Sequence, residues 1–279
     1  MRSQEDQVWY HVDVNSAYLS WTAAYRVCIL GEDLDLRDIP SVIGGSEAER
    51  HGIVLAKSGS AKRYGIRTGE TLAEARCKCP GLVIVPPDYS LYVGCSKALV
   101  ELLKKYFPHV HQYSIDEAFC RVEGTKGLWG THTAFAHQLK EEIRRELGFT
   151  VNIGVSDCKL LAKMASEFQK PDQVHTLFTR EIERKMWPLP VSDLFWVGPA
   201  TVRKLGALGI RTIGELAVMD LELLKRHLKK QGEFIWNYAN GRDVSPFLRE
   251  LPRNKGYGNS MTTPFDVTDR ETAWQVILS

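Results

Sequence analysis

Apolar and polar positions alternate over residues 8–14, VWYHVDV, with Val8, Tyr10, Val12 and Val14 on one side and Trp9, His11 and Asp13 on the other. A period of two predicts a half-buried strand, and this one closes on a carboxylate. A helical pattern then runs through Trp21 and Tyr25, followed by loop signals over residues 31–47, a short strand IVLAK and the turn-rich KRYGIRTGE. Leu91, Cys95, Ala98, Leu99, Leu102 and Tyr106 mark one helix face, and Phe135, Leu139, Ile143 and Leu147 mark another. Between them HQYSIDEAFCRV places β-prone flanks around Ser-Ile-Asp-Glu, and VNIGVS reads as a further strand. Strands and helices mixed without strict alternation predict an α+β fold, a sheet with helices on one face. Beyond Pro171 the pattern is mostly helical, and PRNKGYGN reads as a linker into a further strand. There is no internal repeat and no low-complexity segment.

Composition narrows the class. A chain of 279 residues has room for two domains or one large one. With 44% hydrophobic and 25% charged residues it is neither disordered nor fibrous. Its longest apolar runs, such as Leu99–Leu103, fall far short of the roughly 18–20 residues a bilayer span needs, so no membrane role is expected. Glu5 and Asp6 stand where a signal peptide carries basic residues, which predicts a cytoplasmic protein. Six cysteines without a Cys-x-x-Cys pair read as reduced core thiols. The net charge of +2 says little about partners. Local charge says more: six Lys or Arg stand against two Glu from Lys57 to Lys78, and Lys225, Arg226, Lys229 and Lys230 cluster.

Three carboxylates are candidates for one site: Asp13 at the end of the first strand, and Asp116 and Glu117 between β-prone flanks. Neighbours on a regular strand point to opposite faces, so Asp116 and Glu117 can serve one site only if the chain bends there. The alternative is a pair of solvated acids near a hairpin. Hard oxygen ligands of this kind suit Mg²⁺ and a two-metal phosphoryl-transfer site. In GVSDCKLLAKMASEFQKP, Lys159, Lys163 and Lys170 fall on one helical face opposite Leu160, Leu161, Met164, Ala165 and Phe168. For Lys159 and Lys163 a solvated basic face is an equal reading, whereas Lys170, just before Pro171, is the candidate for holding a polyanion. Further on, Val197-Gly198-Pro199 forms a tight turn with Pro placed as a first helical residue. With LGI and TIGEL following, the string reads as a helix-hairpin-helix, which grips nucleic-acid backbone.

Taken in order, HVDVNSAY, AKRYGIRTGE, YSIDEAF, GVSDCKLLAKMASEFQKP, VGPATVRKLGALGIRTIGELA and GNSMTTPFDVTD resemble the Y-family, or translesion, DNA polymerases of the bacterial DinB/UmuC-like kind. The resemblance implies a right-hand polymerase. Its palm would be residues 1–16 and 88–177, its fingers 17–87, and its thumb 178–244 with the hairpin near 191–214. Residues 245–279 would be a linker and the start of a little finger truncated at Ser279. It also implies that Asp13, Asp116 and Glu117 are catalytic, and that with the Val14 carbonyl they hold two Mg²⁺ ions. Tyr18 would be the steric gate against a 2′-hydroxyl, and Lys62 and Lys170 would hold the triphosphate. Val197, Gly198 and Ala200 would hold DNA. The partners implied are primer-template DNA and an incoming dNTP, with a sliding clamp reached only through sequence beyond Ser279. A monomeric, cytoplasmic, nucleoid-associated enzyme of low-fidelity lesion bypass in the SOS response is expected. Its rival is a catalytically inactive homologue serving as a DNA-binding or mutasome scaffold. Four positions depart from the family pattern: aligning on Gly65 puts Gly59 and Lys62 where many members carry Tyr and Arg, Ala17 stands where an aromatic is usual, and Trp196 replaces the first Gly of the hairpin.

Overall fold

The computed structural model describes residues 7–45, 52–123, 130–243, 256, 258, 263 and 265–278. The linker expected over PRNKGYGN and the strand after it lie largely outside the described residues. In chain order the first elements are β1 (Gln7–Val14), α1 (Ala17–Cys28), β2 (Ser41–Gly44), β3 (Val54–Lys57), α2 (Gly59–Arg63), α3 (Leu72–Lys78) and β4 (Val83–Val85). Next come α4 (Tyr89–Lys104), β5 (His109–Gln112), β6 (Glu117–Glu123), α5 (His132–Leu147), β7 (Val151–Ser156), α6 (Lys159–Glu167) and β8 (Val174–Thr176). The remainder is helical: α7 (Ile182–Lys185), α8 (Pro199–Ala207), α9 (Ile213–Ala217), α10 (Leu221–Leu228), α11 (Lys230–Ala239) and α12 (Arg270–Leu278). These elements divide into two compact units, Met1–Asn15 with Cys95–Leu251, and Ser16–Gly94 with Pro252–Ser279.

The first unit is built on a five-stranded sheet of order β5-β6-β1-β7-β8, antiparallel except for the β7–β8 pair. Its central strand β1 is not half-buried as its alternation suggests: Tyr10 is 1% exposed and His11 0%. Adjacent strand residues face opposite ways, so both sheet faces are covered here. Tyr10 packs on Phe107 and on Phe135 of α5, with ring centroids 5.0 and 5.8 Å away, while His11 bonds to Ser166 of α6. The expectation of helices on one face only is therefore corrected.

Gly154 makes the second layer possible. A Cβ there would stand 1.9 Å from the Ala162 carbonyl oxygen, so only glycine lets α6 lie against β7. The far side of α6 sends Leu160, Leu161, Met164 and Ala165 into an apolar core shared with Leu205, Ile213, Leu224 and Ile235. Each fully buried leucine or isoleucine there contributes about 1.5–3 kcal/mol.

The second unit carries a three-stranded sheet of order β3-β2-β4. Strand β2 lies inside the stretch whose composition reads as loop, because Val42 and Ile43, both 0% exposed, are flanked by turn residues that mask so short a run. Leu19 and Ala23 of α1 pack with Ile43 and Ala56. A capping box between Thr71 and Glu74 starts α3, a helix the hydrophobic pattern did not disclose. All six cysteines are free, but Cys28 and Cys77 are exposed rather than in a core. Among the described residues no helix is long and apolar enough to cross a membrane.

Candidate active site

The carboxylates gather at one end of the central strands. Asp13 on β1 stands directly opposite Glu117 on β6 and is flanked on its other side by Asn152 of β7. The bend that the Asp116–Glu117 pair requires is present. The backbone N–H groups of Tyr113 and Ser114 both donate to the Glu117 carbonyl, at 2.9 and 3.2 Å, folding the chain back just before β6. Asp116 sits in that bend, where its carbonyl accepts from the Val14 N–H at 3.1 Å and its Oδ1 accepts from the Ser114 hydroxyl at 2.6 Å. Val14 itself is buried at the strand end.

Each of two carboxylates is held by a lysine. Lys170 Nζ donates to Asp13 Oδ2 at 2.9 Å and to Glu167 Oε1 at 2.9 Å, and Lys163 Nζ donates to Glu117 Oε2 at 2.5 Å. Burial pushes the Asp13 carboxyl up to about 7, against the pull of Lys170 and with repulsion from Glu117 and Glu167 added. Glu117 goes the other way. Burial works against its charge, but the hydrogen bonds from His11 and Lys163 and the charge of Lys163 hold it down at about 2.

His11 was not singled out by sequence, and it underlies Glu117. Its Nε2 lies 3.2 Å from Glu117 Oε2 and its Nδ1 2.7 Å from Ser166 Oγ. An ionised Glu117 calls for a donor on Nε2, and the Ser166 hydroxyl, which lies between His11 Nδ1 and the Lys163 carbonyl at 2.7 and 2.8 Å, has one hydrogen to give to either of them. Burial lowers His11 to about 4, so the ring is neutral near pH 7. Asn152, 0% exposed, performs the same service for Lys170. Its amide donates to the carbonyls of Ser166 and Gln169 at 3.0 and 2.6 Å, and its Oδ1 accepts from Asn15 at 3.0 Å. These bonds fix the turn that carries Lys170 towards Asp13. A buried polar side chain inside an apolar strand, as in HVDV or VNIGV, is the signal that marks both residues.

The lysine helix is not a solvated face. Lys159 and Lys163 are 6% and 7% exposed. The Lys159 ammonium lies 4.4 Å over the Phe119 ring and 5.7 Å from the Trp9 ring centre.

At the hairpin, Gly198 caps α8 with Pro199 as its first residue, and the N–H groups of Thr201 and Val202 donate to the Gly198 carbonyl. Gly198 and Ala200 are exposed, whereas Val197 is buried and its N–H donates to the Leu194 carbonyl at 3.0 Å. The element just before the turn is a single 3-10 turn, Val191–Asp193. Trp196 is half exposed and adopts φ +70°, the left-handed region that favours glycine.

In the second unit Tyr18 is partly buried and stacks on Tyr92, with ring centroids 4.5 Å apart and planes 10° from parallel. Lys62 is exposed on α2, a helix started by the Ser58 hydroxyl accepting from the Ala61 N–H; Gly59 is its first residue.

Among the described residues no three His, Cys, Asp or Glu side chains gather as a metal cluster, and Asp13 and Glu117 are paired with Lys170 and Lys163. The donor set nonetheless fits a hard divalent cation in kind. Two carboxylates face each other across adjacent strands, a third lies in the bend, and the most buried of them is strained enough by desolvation to favour a cation beside it.

The strand order, the carboxylates at the sheet's end and the helical region beyond them match the right-hand polymerase fold. Superposition agrees: a Y-family DNA polymerase chimera matches with a TM-score of 0.74 at 20% identity, covering 88% of this chain and 70% of that one. Residues 12–167 match the impB/mucB/samB family. DNA polymerase IV of Clostridium acetobutylicum is 50% identical over 98% of this chain and 68% of its own length. DNA polymerase IV of Acetivibrio thermocellus is 41% identical over 95% of this chain and 65% of its length. The chain belongs to the impB/mucB/samB family of Y-family DNA polymerases. It spans about two thirds of the length of these relatives, and the family generally uses divalent metal ions.

Proposed function

We propose that the chain carries the catalytic centre of a template-directed, lesion-bypassing DNA polymerase of low fidelity. The observation that carries this reading is the facing pair Asp13 and Glu117 on adjacent central strands, with Asp116 in the bend beside them. With the Val14 carbonyl these residues would hold two Mg²⁺ ions, which when bound lower the pKa of the primer 3′-hydroxyl and neutralise the triphosphate. The rest of the work falls to the chain. Lys170 and Lys163 are bonded to the carboxylates, and with cations held there Lys170 would be free to donate to a triphosphate oxygen. His11 keeps Glu117 oriented through that exchange. Lys62, a point charge without the fork of arginine, is a further candidate for a triphosphate contact. Tyr18, held flat by Tyr92, is the ring that excludes a 2′-hydroxyl. Gly198 and Ala200 offer the first N–H groups of α8 to a DNA phosphate. The palm, fingers and thumb follow the sequence divisions given above.

The test is primer extension on undamaged primer-template with Mg²⁺, low salt and protein in excess, beside the same chain carrying Asp13→Ala. Metal-dependent addition that vanishes in the variant supports the reading. DNA binding without any metal-dependent addition, persisting when the full-length protein is used, overturns it in favour of a scaffold.

A further inference from the structure

Tyr18 does not stand alone in the second unit. It lies in the first turn of α1, a helix that follows Ser16 in the left-handed region at φ +48°. Its ring lies against that of Tyr92 in the first turn of α4, 4.5 Å away and 10° from parallel. Trp21 packs on both tyrosines, with centroids 6.1 Å from Tyr18 and 5.9 Å from Tyr92, and Tyr89 meets both edge-on at 6.2 and 5.8 Å. Tyr92 and Trp21 are both 0% exposed, so Tyr92 has no room to yield.

A second link runs through the Tyr92 hydroxyl. Thr22 Oγ1 donates to the Tyr18 carbonyl at 2.8 Å, one turn back along α1, and lies 3.2 Å from the Tyr92 hydroxyl. Thr22 has one hydrogen and gives it to the carbonyl, so Tyr92 is the donor to Thr22. Burial raises the Tyr92 phenol above its ordinary value, which keeps that hydrogen in place near pH 7. Tyr92 therefore reaches residue 18 twice, at its ring by stacking and at its backbone through Thr22.

Exclusion of a hydroxyl needs a wall that does not move. An apolar pocket that can give way rejects a molecule with one added hydroxyl poorly. Tyr18 is only partly buried, so its resistance to displacement comes from the rings behind it. We propose that Tyr92 is a positioning residue for sugar selection, holding the Tyr18 ring and backbone where a 2′-hydroxyl would collide. This rests on the reading of Tyr18 as the ring beneath the sugar. It makes the preference for deoxynucleotides a property of the pair, so part of that preference is lost when Tyr92 changes and Tyr18 is intact.

The experiment reads kcat/KM for a dNTP and for the matching rNTP opposite the same template base. The proteins compared are the parent, Tyr18→Ala, Tyr92→Leu, Tyr92→Phe and the double variant of Tyr18→Ala with Tyr92→Leu, with circular dichroism and thermal unfolding to show that each folds. Tyr18→Ala is expected to lower the preference for dNTP by about a hundredfold. Tyr92→Leu should lower it roughly tenfold, and Tyr92→Phe about two- to threefold, since the stack stays and only the link to Thr22 goes. In the Tyr18→Ala background Tyr92→Leu should change the preference by less than about twofold. Equal losses for dNTP and rNTP in Tyr92→Leu leave the preference at the parent's value; that result overturns the proposal and makes Tyr92 a packing residue. So does a drop in preference that persists in full without the Tyr18 ring. If Tyr92→Leu does not fold, Tyr92→Phe decides by the same ratio, and the parent's preference in it overturns the proposal. If Tyr18→Ala keeps the parent's preference, the reading of Tyr18 fails and the proposal falls with it. A parent protein that adds no nucleotide of either kind fails the polymerase reading instead, and the proposal with it.

Discussion

The carboxylate end of the sheet and the Gly198 hairpin lie in one compact unit and solve opposite problems. At the sheet end, charge is buried on side chains, so every carboxylate needs a partner and most partners need partners of their own. Asp13 depends on Lys170, Lys170 on the turn fixed by Asn152, and Glu117 on Lys163, His11 and, through His11, Ser166. At the hairpin the groups proposed to meet DNA are backbone N–H groups of exposed residues, already oriented by the start of a helix. The first site is built in depth and the second at the surface. Substitutions should therefore separate the two by which property fails.

The largest effect belongs to the deepest element. Glu117→Ala removes a proposed metal ligand, and extension should fall by roughly 10³-fold or more while primer-template affinity changes little. Single-turnover extension beside fluorescence anisotropy measures both; retained synthesis would remove Glu117 from the reaction. One step out, His11→Phe keeps an aromatic ring, somewhat larger, but leaves Glu117 and Ser166 without that partner. A loss of about 10–100-fold in kcat is expected, relieved in part by high Mg²⁺, with little change in DNA affinity. If binding and kcat fall together, His11 is only a packing residue.

The same contrast explains what could be read from the chain before folding. The hairpin is local: Val197-Gly198-Pro199 are neighbours in sequence, so its turn and the proline at the helix start were visible at once. The carboxylates were visible as motifs, and the bend between Asp116 and Glu117 was required by geometry before it was seen. The support was not visible, because His11 and Ser166 stand 155 positions apart and Asn15 and Asn152 137 apart, and no spacing rule links them. The solvated face anticipated as an option for Lys159 and Lys163 is absent because Gly154 draws α6 onto the sheet. A glycine's lack of a side chain decides the fate of two charges some residues away.

At the hairpin a single change should move stability and binding in opposite directions. Ala200→Asp places a negative charge in the first turn of α8, where the helix dipole favours it by about 0.3–1 kcal/mol. The same charge meets DNA phosphate if this is the gripping surface. Thermal stability is expected to hold or rise slightly while the Kd for primer-template rises severalfold, most clearly at low salt. Loss of both together, or of neither, would remove Ala200 from the DNA contact.

The smallest effect isolates one backbone angle. Trp196 holds φ +70° while its ring meets Phe195 and Phe234 edge-on, at centroid distances of 5.6 and 6.2 Å, and Gln231 donates to its carbonyl at 3.2 Å. Trp196→Ala and Trp196→Gly both lose the ring contacts, but alanine keeps the left-handed strain and glycine does not. Their difference therefore reports the angle alone. Urea unfolding should find Trp196→Gly about 1 kcal/mol more stable than Trp196→Ala, with Trp196→Gly close to the parent because relieved strain offsets lost aromatic contact of about 0.5–1.5 kcal/mol. Equal stability of the two variants would mean that the hairpin relaxes out of the left-handed region once the indole is gone. In that case the ring, rather than the turn, sets the local backbone, and the surface-built site shares more of the deep site's dependence on packing than its exposure suggests.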